Sequence, residues 1–90
     1  MSRPNVTIEL VEKKGTYPCQ RGHKVGDVFD FEADRGRLCP YAMHSLLPYI
    51  TVLRYGGKLS PSHVHGDFRY CCPDADVGCT YRLSSKENAI

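Results

Sequence analysis

One stretch of this chain, and only one, has the rhythm of a helix: LCPYAMHSLLPYITVLRYGG, residues 38–57. Ala42, Leu46, Tyr49 and Leu53 recur at spacings of three and four, which makes an apolar stripe on a helical surface. Pro40 suits the first turn, where its missing N–H is of no consequence. Gly56-Gly57 supplies a stop. Pro48 is the difficulty, because an interior proline costs a helix ~3 kcal/mol. The expectation is therefore a kink, or two short helices meeting near residues 46–48.

The segments on either side alternate instead. In NVTIELV, 5–11, Val6, Ile8 and Leu10 fall on one face and Thr7 and Glu9 on the other, the pattern of a half-buried strand. VGDVFDF, 25–31, reads as a second strand after a Gly26-Asp27 turn, with Phe29 and Phe31 sharing a face. EADRGR, 32–37, reads as polar loop. FRYCC, 68–72, and CTYRL, 79–83, read as two strands around the turn PDADVG. KKGTYPCQRG, 13–22, and KLSPSHVHGD, 58–67, are loops by their glycines and prolines. The order β-β-α-β-β leads to an α+β fold: a small antiparallel sheet of about four strands with one broken helix packed on it. Residues 1–90 form a single domain, expected to be ordered over about 5–84 with a flexible tail at 85–90.

A domain of 90 residues buries little more than about 60% of its unfolded surface. Its core is marginal, so a metal, a partner or a cross-link would help it. The net charge of +2 is too small to argue for nucleic acid. No apolar run approaches the ~20 residues of a membrane span, and no secretory leader pattern opens the chain. The expectation is a cytoplasmic protein that binds neither nucleic acid nor membrane.

Five cysteines are many for that compartment. An odd count in a reducing environment disfavours a disulfide framework and leaves metal ligation, thiol chemistry or packing. In FRYCC the alternation turns Phe68, Tyr70 and Cys72 inward, and Arg69 and Cys71 outward. Cys79 shares an apolar stripe with Val77, Tyr81 and Leu83, and reads as a small buried hydrophobe. Cys19 sits in the loop Y-P-C-Q-R-G-H. Cys39 precedes Pro40 at the helix start, where the helix dipole favours a thiolate. Cys19, Cys39 and Cys72 each stand at a loop or element end beside a proline. No compact C-x-x-C pair exists, so a shared site must be assembled by the fold.

Among the histidines, His44 lies about one and a half turns along the helix from its start. It reads as a fourth ligand, a proton carrier or a core histidine. His23 follows Cys19 and reads as a loop-orienting residue. His63 and His65, in S-H-V-H-G-D, have a spacing that can chelate on a strand, but in a Ser/Pro/Gly loop they read as solvated.

The blocks CQRGHKVGDVFDF, LCPYAMHSLLPYITVLRYGG and CCPD with a short final strand together resemble a family of small bacterial proteins of about this length. That family carries a numbered name and no assigned function, and occurs often in anaerobes. The resemblance covers roughly residues 5–84 and implies that the family's cysteine and histidine positions fall on Cys19, Cys39, His44 and Cys72. It also implies that the positions of Cys71 and Cys79 are usually not cysteine, and that the His63/His65 loop departs from the pattern.

The leading expectation is a metal centre. Cys19, Cys39 and Cys72 would be its ligands, with His44 or a non-protein group completing a zinc site or an iron–sulfur cluster. Such a protein would act in redox or as an auxiliary subunit of a larger enzyme. One alternative is metal-free thiol chemistry, with Cys39 as nucleophile, His44 as proton partner and Cys72 or Cys19 as resolving thiol. The other is a small interaction module using RYGG, 54–57, as a contact surface.

Overall fold

The computed structural model describes residues 5–18, 22–74 and 76–85. Four strands form one antiparallel sheet: β1 (Val6–Lys13), β2 (Val28–Asp30), β3 (Phe68–Cys71) and β4 (Cys79–Ser85). Their order across the sheet is β2-β1-β4-β3. One long helix, α2 (Pro40–Arg54), packs on a single face; a short helix, α1 (Phe31–Asp34), and a 3-10 turn (Arg35–Arg37) precede it. This is the small α+β architecture that the alternating blocks and single helical rhythm predict.

The alternation in β1 becomes burial directly. Val6, Ile8 and Leu10 are fully buried, and Ile8 pairs with Phe29 on one side and Leu83 on the other. A bulge at Val11, between the Leu10–Tyr81 and Glu12–Thr80 pairs, resets the parity of the strand's end. From the helix, Ala42, Leu46, Ile50 and Leu53 close the core. Tyr49 is not part of that stripe, contrary to the spacing argument. It is 37% exposed and stacks on Tyr70 of β3, centroids 3.8 Å apart and planes 8° from parallel.

The expected break in the helix is absent: α2 runs through Pro48 without interruption. The carbonyl that Pro48 cannot bond belongs to His44, and both residues are exposed. On the solvent side water is free to take the place of the missing bond, and the helix stays closed. The helix ends as its glycines require. Gly56 has φ 78°, its N–H donates to the Leu53 carbonyl at 3.1 Å, and the Gly57 N–H donates to Val52 at 2.8 Å. These are the two bonds of a Schellman stop.

The segment read as strand then loop turns early. The Asp30 carboxylate accepts the N–H groups of Glu32 at 2.9 Å and Ala33 at 3.2 Å, which caps α1. Phe31 is thereby driven into the core, 2% exposed, under the Arg54 guanidinium, which also pairs with Glu32 at 2.8 Å.

The sheet's outer face is polar. Arg82 pairs with Glu9 and lies 3.9 Å from Asp67, which accepts a 2.8 Å bond from Arg69. The Arg69 hydrogen bond holds the Asp67 carboxyl below its ordinary value; burial opposes the shift, while the charges of Arg69, Arg82 and His65 add to it. A carboxyl lowered on folding stabilises the fold above its unfolded pKa, and that stability is lost as pH falls through the folded value. Stability should therefore decline below about pH 4, and Asp67→Asn should flatten that part of a urea-midpoint-against-pH curve. An unchanged acid limb in Asp67→Asn would contradict the assignment. Separately, Pro48→Ala should raise stability by about 1–2 kcal/mol, because the regained helix bond outweighs the added chain entropy. A urea midpoint at or below the parent's would contradict the account of the solvated carbonyl.

Candidate thiol site

The N-terminus of α2 docks against the end of the β3–β4 hairpin. Cys39 is the helix N-cap, with an extended backbone (φ −61°, ψ 131°) and no side-chain cap bond. An extended residue before Pro40 is what the proline ring imposes. Its carbonyl accepts the Met43 N–H at 2.8 Å, and its thiol turns inward, 5% exposed.

The hairpin supplies the facing thiols. Cys72 directly follows β3; its N–H donates to the Cys79 carbonyl at 2.9 Å, and its Sγ lies 3.8 Å from the Asp74 carbonyl. As the alternation requires, Cys72 is half-buried against the core while Cys71 is exposed. The Cys71 sulfur lies 3.5 Å from Thr80 Oγ1 on the outer face. The turn is held by Asp74, whose carbonyl accepts the N–H groups of Val77 at 3.2 Å and Gly78 at 2.8 Å. Between helix start and hairpin end lies a cavity of about 10 Å³, room for little more than one water-sized sphere. Cys39, Tyr41, Cys72, Asp74, Val77, Cys79 and Tyr81 line it.

Two of the residues expected at a shared site, Cys39 and Cys72, thus do face one cavity. Cys19 lies outside the described residues. Its chain neighbours are fixed: Gly15 N–H donates to Val77 at 3.0 Å, and Tyr17 N–H to Asp76 at 3.2 Å. These bonds fix the chain up to Tyr17 beside the turn that forms the cavity wall. His44 is exposed and does not line the cavity. It lies about 200° around the helix from buried Ala42. His23 is half-buried, edge-on to Phe29 at 4.7 Å. His63 and His65 are exposed in the loop before β3.

Cys79 does more than fill the core. It is buried, 1% exposed, as the apolar stripe requires, yet it also lines the same cavity as Cys39 and Cys72. The signal lay in the hairpin register, since pairing Cys71 with Thr80 sets Cys72 opposite Cys79.

Among the described residues, no group of three or more His, Cys, Asp or Glu is poised to hold a metal ion. No helix among them is long and apolar enough to cross a membrane. Comparison with protein-family models, curated proteins and solved structures gives no match.

The Gly15 contact ties the loop that leads to Cys19 to the cavity wall. A Cβ at Gly15 would stand 1.9 Å from the Asp76 carbonyl oxygen, whereas one at Gly36 meets nothing within 4 Å. Gly15→Ala should cost about 1–3 kcal/mol by displacing the turn, and Gly36→Ala no more than about 0.5 kcal/mol. Denaturant midpoints of the two variants check this; equal midpoints would contradict it.

Proposed function

We propose that this protein holds a soft metal centre, a zinc ion or an iron–sulfur cluster, on the thiolates of Cys39 and Cys72 together with Cys19. The observation that carries the reading is that Cys39 and Cys72, from segments remote in sequence, line one cavity. Thiolates are the preferred ligands of both groups, and tetrahedral zinc takes sulfur at about 2.3 Å. A third thiolate is needed, and the loop tethered at Tyr17 beside the cavity wall is its source. The fourth position falls to a non-protein group or to His44; the exposure of His44 on the far side of α2 favours the former.

The same residues fall on the cysteine positions of the family that the chain resembles. Such a centre would join the N-terminal loop, the helix start and the hairpin, adding binding energy to a small core. An open fourth position would suit redox work in a reducing cytoplasm. A role as auxiliary subunit draws on the exposed Tyr55 at the helix stop, 64% exposed, as a contact for a larger enzyme.

Protein purified without oxygen should carry either iron with sulfide and a visible colour, or one zinc and no colour. Cys39→Ser and Cys72→Ser should lower metal content at least about tenfold, and Cys71→Ser should leave it unchanged. Metal-free protein with one thiol reacting fast at neutral pH would overturn the reading in favour of Cys39 as nucleophile with His44 as its proton partner. Equal losses in the Cys71 and Cys72 variants would overturn it as well.

A further inference from the structure

Cys72 and Cys79 occupy facing positions at the end of the β3–β4 ladder. Cys71 pairs with Thr80, and the next rung is closed by the 2.9 Å bond from the Cys72 N–H to the Cys79 carbonyl. Side chains directly opposite on antiparallel strands emerge on the same face. Here it is the inner face, since both residues line the cavity. A hydrogen-bonded antiparallel pair has Cα atoms ~5.5 Å apart, inside the ~4.4–6.8 Å that a disulfide spans. The Cβ atoms of such pairs are ~4.5–5.5 Å apart, whereas a disulfide brings them to ~3.5–4.5 Å. Closure therefore asks for a displacement of roughly 1 Å. Cys72 is well placed to make it, because it lies just past the end of β3 and leads into the turn. A bond closed with some strain is also one that thiols reduce readily.

We infer that Cys72 and Cys79 form a reversible cross-strand disulfide, an oxidation-controlled switch built into this cavity. The oxidant is a hydroperoxide, taken here as hydrogen peroxide. Cys72, the more exposed of the two, reacts first. Its thiolate sulfur attacks one peroxide oxygen; the S–O bond forms, the O–O bond breaks, and the departing hydroxide takes up a proton to become water. The sulfur is now a sulfenic acid, oxidised by two electrons, and the peroxide is reduced. The Cys79 thiolate then attacks that sulfur. The S–S bond forms, the S–O bond breaks, and hydroxide leaves with the proton that Cys79 gave up. Two thiols and one peroxide thus become one disulfide and two waters, and a dithiol reverses the change by exchange. Cys71 takes no part, because its sulfur lies on the outer face beside Thr80. One consequence rests on the metal reading above: an oxidised Cys72 is no longer a thiolate ligand, so oxidation releases the centre. The disulfide itself does not depend on that reading.

The test uses reduced, metal-free Cys71→Ser protein treated with one equivalent of hydrogen peroxide. Its intact mass should fall by two hydrogens, peptide mapping should join residues 72 and 79, and dithiothreitol should restore the parent mass. Cys72→Ala in the same background should abolish the mass loss and leave Cys79 reduced. That substitution is at a half-buried strand end, and circular dichroism checks that the fold is kept. A link from Cys72 to Cys39 or Cys19, or Cys72 oxidised singly while Cys79 stays reduced, would overturn the inference. Metal content of the parent, measured separately, keeps the two proposals apart. A 72–79 link in a protein that never holds metal removes the centre and leaves the switch. Metal without the link does the reverse.

Discussion

The packing of one helical stripe onto one sheet face positions everything else in this protein. Ala42, Leu46, Ile50 and Leu53 of α2 are all fully buried, in one cluster with Val6, Ile8 and Leu10 of β1 and Tyr81 and Leu83 of β4. A helix so interdigitated cannot slide without emptying the core, since close-packed interiors tolerate little displacement. Its N-terminus is therefore fixed against the end of the β3–β4 hairpin. The Ser45 hydroxyl reinforces this by donating to the Cys71 carbonyl at 2.7 Å. The thiol cavity follows from that docking, because Cys39 caps the helix at the same height at which Cys72 and Cys79 close the hairpin.

The cavity lies where a small core runs out. Beyond Cys39 the helix has ended, and beyond Cys72 the last rung of the ladder has closed. The turn at 74–78 is held by its own backbone bonds and by the strand extension through Gly15. Helix start, hairpin end and the strand extension through Gly15 meet there around a small cavity. A metal centre or a cross-link would add stability at that junction, where ~100-residue domains have little to spare. Both proposed chemistries draw on Cys72, so they would exclude each other. As thiolate it would ligate, and as disulfide it could not. Competition for one sulfur would make the state of the site depend on oxidant.

Much of this was legible in residue order. The period-two blocks gave the strands of the sheet, and the FRYCC alternation separated Cys72 from Cys71. The helix stop followed from Gly56-Gly57. What escaped has specific causes. α1 forms because the Asp30 carboxylate caps it, a local bond that competes with strand continuation and leaves no mark in the hydrophobic pattern. Pro48 reads as a break only if its orphaned carbonyl faces protein, and orientation on the helix is settled by packing. Tyr49 keeps the helical spacing yet lies beside the core stripe, drawn out by its stack on Tyr70. Cys79 lies on the buried face that its apolar stripe predicts, but burial and site membership are compatible. The mirrored run R-Y-C-C…C-T-Y-R held the register, which pairs Arg69 with Arg82 and Tyr70 with Tyr81.

Sulfur anomalous diffraction from a crystal grown and frozen without oxygen places each thiol directly, and it bears on the gathering of thiols more closely than any activity could. The expected map shows the Cys39 and Cys72 sulfurs turned towards one metal centre, either on a single zinc and about 4 Å from each other or on the irons of one cluster, with the Cys79 sulfur on the same cavity wall. Sulfurs of Cys39 and Cys72 turned to separate surfaces, with no shared neighbour between them, would contradict the account.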